Sequence, residues 1–169
     1  LRKCVKKNGE EKIVIGEVWE DASNKESYGV KRRYLLGDQL DSVMNYPFRD
    51  AVLGFLTGAK AEDMMEMILS VLENYPPQVV RLLMNHIGTH DTERAITVLA
   101  GEPMCNRGRE WQCSCKMTKE QWKVGLKKMR LASLMQYTLP GVPCIYYGDE
   151  AGVEGYKDPF NRTGYPWGR

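Results

Sequence analysis

Val142-Pro143-Cys144-Ile145-Tyr146-Tyr147-Gly148-Asp149-Glu150 opens as an apolar run rich in β-branched and aromatic residues and closes on two carboxylates. Pro140-Gly141, just before it, marks a turn. A helical pattern precedes that turn, from about Thr118 to Tyr137, with Trp122, Leu126 and Met129 in one stripe. Thr118 with Gln121 three residues later makes a capping box for its start. Together these segments read as one helix–strand unit with a polar strand end.

The same order recurs upstream. Ile13-Val14-Ile15 runs into Gly16-Glu17-Val18-Trp19-Glu20-Asp21, and the run around Val43-Met44 into Asn45-Tyr46-Pro47-Phe48. A further run lies within Val79 to Ile87, where pattern alone does not separate strand from helix. It leads into Gly88-Thr89-His90-Asp91-Thr92-Glu93-Arg94. None of these runs alternates polar with apolar residues, as expected of parallel strands covered on both faces. Over Ala61 to Tyr75, Met64, Ile68, Val71, Leu72 and Tyr75 recur at helical spacing, and Pro76-Pro77 ends the pattern. Strands alternating with helices predict an α/β fold with a parallel sheet. Four strands are half of what a complete (β/α)8 barrel of about 250 residues requires.

Composition narrows the classes. Hydrophobic residues make up 43% and charged residues 27% of the 169, which fits a globular chain and excludes bulk disorder. Lys and Arg total 24 against 22 acids, so nothing in the charge predicts a nucleic-acid or anionic-membrane partner. The cations Lys119, Lys123, Lys127 and Arg130 read as a solvated helix face. No apolar run reaches the roughly 18 residues of a membrane helix. Leu1-Arg2-Lys3-Cys4-Val5 has neither an initiator Met nor a signal-peptide core, so it is expected to lie inside a longer polypeptide. Five cysteines cannot all pair, which favours a reducing, cytoplasmic compartment. Cys105, Cys113 and Cys115 lack paired zinc-ligand spacing and are expected as free thiols in an irregular surface loop, residues 105–116. His86 and His90 are four apart, but Gly88 lies between them and the adjacent glutamate of a zinc helix is missing. No metal is expected at either place.

In parallel α/β folds the chemistry sits beyond the C-terminal ends of the strands. Here every strand end delivers polar groups, two of them with aromatic neighbours. Carboxylates with Trp and Tyr at one mouth suit a carbohydrate site, where carboxylates supply the acid–base work of glycoside cleavage. Glu17 beside Trp19 reads either as a general acid buried against an aromatic ring or as a solvated strand-end carboxylate. His90-Asp91 reads either as a substrate clamp or as a loop histidine before a helix N-cap. No Gly-rich phosphate loop follows the first strand, which argues against a flavodoxin-like binding protein.

In this order the four segments resemble the second half of an α-amylase superfamily catalytic barrel, in its neopullulanase, cyclomaltodextrinase and maltogenic-amylase branch. Gly16-Glu17-Val18-Trp19 resembles the motif ending the fifth barrel strand. Asp41-Ser42-Val43-Met44-Asn45-Tyr46-Pro47-Phe48 resembles the sixth-strand segment, and Ile87 to Arg94 the seventh-strand motif. Pro140 to Glu150 resembles the eighth strand, and Lys157-Asp158-Pro159, Asn161-Arg162 and Pro166-Trp167 continue its loop. Thr163-Gly164 departs from the arginine–proline pair that relatives often carry.

The resemblance implies that residues 1–169 form the fifth-to-eighth-strand half of a (β/α)8 TIM barrel. It implies a retaining glycosidase acting on α-glucan oligosaccharides, with Glu17 as general acid/base and Asp91 as transition-state stabiliser. His90, Trp19, Asn45, Tyr46 and Arg94 would contact substrate. No organic cofactor is implied, and the family's calcium sites draw mainly on other segments. The family's nucleophilic aspartate belongs to the fourth strand, which precedes Leu1 in the family's order, so the chain alone is expected to be inactive. Open half-barrel edges are expected to promote self-association. The competing class is a non-catalytic sugar-binding or assembly half-domain.

Overall fold

The computed structural model describes residues 1–168. In chain order the elements are α1 (Arg2–Lys6), β1 (Ile15–Gly16), β2 (Glu26–Ser27), β3 (Val30–Lys31), β4 (Ser42–Val43), α2 (Tyr46–Thr57) and α3 (Ala61–Asn74). They continue with α4 (Pro77–Val80), β5 (Met84–Asn85), α5 (Ala95–Ala100), α6 (Arg109–Ser114), α7 (Lys119–Thr138) and β6 (Val142–Pro143). β1 pairs in parallel with β4, and β5 in parallel with β6. A parallel bridge from Met44 to Met84 joins the two pairs. The result is a ribbon of four parallel strands in the order β1-β4-β5-β6, with helices on the β4–β5 and β5–β6 connections and none between β1 and β4, where the sequence pattern had strands alternating with helices. β2 and β3 form a separate antiparallel hairpin in the loop after β1.

Local chemistry explains the helix limits. The Asn45 side chain caps α2 by accepting the Phe48 N–H at 3.3 Å, and Gly58 at φ 118° closes it in the left-handed region. Glu62 and Asp63 in the first turn of α3 favour the positive end of its dipole. Tyr75 after it is extended because it precedes Pro76. Pro77, whose missing N–H costs nothing in a first turn, starts α4. The Thr118–Gln121 capping box forms, with bonds of 3.1 and 2.9 Å.

The run from Val79 to Ile87, left open between strand and helix, holds both: α4 ends at Val80 and β5 occupies Met84–Asn85. One expectation needs correction. Residues 105–116 are not wholly irregular, since α6 takes up Arg109–Ser114. Trp111 on that helix packs against Tyr156, with ring centroids 4.8 Å apart, and Arg107 lies 4.3 Å over the indole. Such anchoring by distant residues leaves no periodic trace in so short a stretch. The last strand is also shorter than its apolar run. The Val142 and Cys144 N–H groups donate to the Leu83 and Asn85 carbonyls, each at 2.7 Å, and the Gln136 amide donates to the carbonyls of Asn85 and Cys144 at 2.9 and 2.8 Å.

Two apolar clusters support the ribbon. One joins Phe48, Val52 and Leu53 of α2 to Ile96 and Leu99 of α5 and Met129 and Ala132 of α7. The other joins Val18, Val43, Val71, Tyr75, Val79 and Leu83. Tyr75 accepts the Ala22 N–H at 2.7 Å, which holds the loop after β1 onto α3. No helix among the described residues is long and apolar enough to cross a membrane.

Candidate functional site

Three strand ends meet through their side chains. Glu17 and Trp19 follow β1, and the Trp19 Nε1–H donates to Glu17 Oε1 at 3.1 Å. The Trp19 indole stacks on Tyr46, which follows β4, with centroids 4.1 Å apart and planes at 17°. Tyr46 in turn meets the edge of His86, just after β5, at 4.6 Å. Burial raises the Tyr46 phenol above its ordinary pKa, and the carboxylates of Glu17 and Asp91 both push it the same way. Glu17 is exposed rather than buried against the indole, contrary to one of its two readings.

The His90–Asp91 turn is fastened from several directions. His90 Nε2 lies 3.1 Å from Asp91 Oδ2. The Thr89 hydroxyl accepts the Asp91 N–H at 3.3 Å. Asn161 donates to the carbonyls of His90 and Thr92, each at 2.7 Å. Arg162 reaches Asp91 Oδ1 at 3.3 Å, the His90 carbonyl at 3.1 Å and Asp158 at 2.8 Å. Asp91 does not cap a helix, because α5 begins four residues later with Arg94 at its N-cap. It is left as an exposed carboxylate flanked by the His90 ring and the Arg162 guanidinium. Arg162 was not among the expected site residues. It lies 71 positions from Asp91, and its sequence signal was its place in the segment that resembles the family's loop after the eighth strand.

Three of the expected substrate contacts are buried. Arg94 is 0% exposed. Its Nε donates to the Asn161 carbonyl at 2.7 Å, and its Nη1 donates to the Tyr147 carbonyl and pairs with Asp149 at 3.3 Å. Tyr146 and Tyr147 lie 4.2 and 4.6 Å from the guanidinium. It organises the loop after β6 from within. Asn45 is also buried, with one end of its amide capping α2 and the other donating to Asn85 Oδ1 at 2.8 Å. Tyr46 is buried as well, serving as the floor beneath Trp19. Trp19, 49% exposed, and His90 remain open to a ligand.

Burial raises the Asp149 carboxyl to about 6 even though Arg94 opposes the shift. Burial likewise lowers the His86 imidazole to about 4, with Arg49 adding to it, and neither ring nitrogen finds a partner among the described residues. Cys105 and Cys113 are exposed, and Cys115 Sγ lies 3.4 Å from Tyr156 Oη.

The family model for the alpha amylase catalytic domain matches residues 1–166. The cyclomaltodextrinase of Thermoanaerobacter pseudethanolicus is 38% identical over 169 residues, covering 99% of this chain and 24% of that protein. Neopullulanase 2 of Thermoactinomyces vulgaris is 34% identical, covering 99% of this chain and 23% of its own. Among solved structures, the cyclic alpha-maltosyl-(1→6)-maltose hydrolase of Arthrobacter globiformis superposes with a TM-score of 0.73 at 29% identity. That match covers 99% of this chain and 31% of the hydrolase. The chain thus spans about a quarter of the curated relatives named here, and an alpha-amylase catalytic domain is a (β/α)8 barrel of which these residues are part. A match along nearly its whole length, with the ordered strand ends in place, means that the chain belongs to the alpha-amylase catalytic domain family.

Proposed function

We propose that these residues are the fifth-to-eighth-strand half of the barrel of a retaining glycosidase that cleaves α-glucosidic linkages in starch-derived oligosaccharides. The observation that carries this reading is the shared mouth. Glu17 and Asp91 follow the ends of different parallel strands, the exposed Trp19 ring lies beside Glu17 and stacks on Tyr46, and Arg162 reaches Asp91. In the proposed reaction Glu17 protonates the leaving glycosidic oxygen and later takes a proton from water. Asp91, held by Arg162, supports the positive charge that develops on the sugar ring. His90 hydrogen-bonds the same sugar, and Trp19 shapes the pocket around the acid.

A retaining mechanism also needs a carboxylate nucleophile roughly 5 Å from the acid. The resemblance assigns that role to a strand outside these 169 residues, so the chain alone is proposed to be inactive. Self-association through the ribbon edges and a reducing, cytoplasmic setting belong to the same reading.

The test joins this chain to the upstream four strands of a relative's barrel and follows cleavage of maltotriose and cyclodextrin. General acid catalysis contributes about 10²- to 10⁴-fold. Glu17→Gln in the completed barrel should lower kcat by that much, and Asp91→Asn should lower it strongly too. Near-native turnover in Glu17→Gln overturns the assignment.

A further inference from the structure

We propose that His86 is a positioning residue for the Glu17 carboxylate, acting through the Tyr46 and Trp19 rings. What this does for catalysis rests on the proposed function. Four side chains from three strand ends form one line of contacts. His86 and Tyr46 meet in a T-shaped pair, centroids 4.6 Å apart and planes at 77°. Tyr46 stacks on Trp19 at 4.1 Å, and the Trp19 Nε1–H donates to Glu17 Oε1 at 3.1 Å. No other hydrogen bond or ion pair among the described residues reaches the Glu17 carboxylate, which is exposed. Its orientation therefore depends on the indole.

An imidazole is a costly filler at that place. It is 1% exposed, and neither of its nitrogens has a partner among the described residues. Burying a polar group without a hydrogen bond destabilises a fold, and a leucine would fill much the same space without that cost. Burial and the nearby Arg49 keep the ring neutral at pH 7. What leucine lacks is a flat π-system with a positive edge and a negative face. That charge separation is what fixes the geometry of a T-shaped pair.

The line transmits orientation because each link is directional. Tyr46 is the first residue of α2, whose start the Asn45 side chain caps, so its backbone is held. The tilt of its ring is then set by the two rings against it, His86 and Trp19. With planes only 17° apart, a tilt of Tyr46 carries the indole with it. The indole N–H swings in turn relative to Glu17, and a hydrogen bond weakens steeply as it bends. His86 thus contributes to the aim of a carboxylate that it does not touch, at a cost to the stability of the fold.

The test uses the 169-residue chain and reads the indole N–H signals by proton–nitrogen correlation spectroscopy at pH 7. The sequence holds four tryptophans, and Trp19→Phe identifies the signal of Trp19. His86→Leu should keep a melting temperature at least native, while the Trp19 N–H loses its hydrogen-bonded downfield position and the other three signals stay. Tyr46→Leu should give the same loss. The double variant should add nothing to it, because His86 acts through Tyr46. Leu99→Ala opens a cavity in the α2–α5–α7 cluster and should lower the melting temperature without moving the Trp19 signal. A native Trp19 signal in His86→Leu, or losses that add in the double variant, overturns the proposal. So does a loss in Leu99→Ala equal to that in His86→Leu, or one that His86→Leu shows only with a lowered melting temperature, since either marks packing alone. None of these readings depends on Glu17 being the acid. Failure of that assignment shows separately, as near-native turnover of Glu17→Gln in the completed barrel.

Discussion

A guanidinium with no exposed surface cannot meet a sugar, so the Arg94 side chain should register in stability rather than in affinity. Arg94→Ala leaves the Asp149 carboxylate buried without its partner, a change that costs about 3–5 kcal/mol. The sign of its pH dependence follows from the Asp149 pKa, raised to about 6 in the fold. Protonated Asp149 contributes stability that is present below the ordinary 3.8 and is lost as pH rises through about 6. Urea unfolding of Arg94→Ala should therefore show a larger deficit at pH 7.5 than at pH 5, and an equal deficit at both would count against it. His86 runs the other way. Its pKa is lowered from 6.5 to about 4, so the neutral ring contributes stability above 6.5 that is lost as pH falls toward 4. The loss is on the order of 3 kcal/mol. His86→Leu removes both the titration and two unpartnered buried nitrogens. Its melting temperature should be at least native at pH 7 and should fall less steeply than wild type between pH 6.5 and 4.

At the level of elements, the crossing of α5 and α7 turns on Gly125. A Cβ there would lie 2.6 Å from Ile96 Cγ1 and 3.4 Å from the Ala100 Cβ. Gly to Ala inside an exposed helix gains about 1 kcal/mol, but overpacking a filled core costs about 1–3 kcal/mol. Ile96 Cγ1 sits near the backbone and cannot swing away, so the cost wins. Gly125→Ala should lower unfolding stability by up to about 2 kcal/mol in denaturant melts, and stabilisation would show that α7 shifts freely. The helices themselves were legible, because apolar stripes such as Ile68, Val71 and Tyr75, and the cap at Thr118, are written within a few residues of each other. The strand ends and their order were legible too, since Glu17, His90 and Asp91 each follow an apolar run directly. What sequence reasoning missed depends on pairs far apart in the chain. Arg94 meets Asn161 across 67 positions and Asn45 meets Asn85 across 40. Polar residues at a strand end look alike in sequence whether they face a ligand or a buried carbonyl. The short helix α6 went unseen for the same reason, resting on Tyr156 rather than on its own periodicity.

For the molecule as a whole, the strand ribbon has two open sides. Among the described residues β1 pairs only with β4, and β6 only with β5. Ile13 and Ile15 are exposed on and beside β1; Val142 and Ile145 are exposed at β6, as are Leu131, Leu134 and Tyr137 on α7. These apolar side chains are between 38% and 59% exposed. Unpaired strand edges next to apolar surface favour association, because pairing satisfies backbone groups while the apolar area leaves water. The purified chain should therefore run as a dimer or larger species in size exclusion with light scattering. Leu131→Lys with Leu134→Lys should shift it toward monomer if the α7–β6 side is the contact. A compact native monomer would refute the packing argument, since nothing else here covers those faces. Assembly of two copies would still not supply catalysis. Each copy brings Glu17 and Asp91 and neither brings the nucleophile proposed to lie on another strand, so no covalent glycosyl intermediate forms. Reducing-sugar release from maltotriose and cyclodextrin should stay at background for the associated chain. Turnover that the native chain shows and Glu17→Gln lacks would mean that a carboxylate within these 169 residues serves as the nucleophile after all.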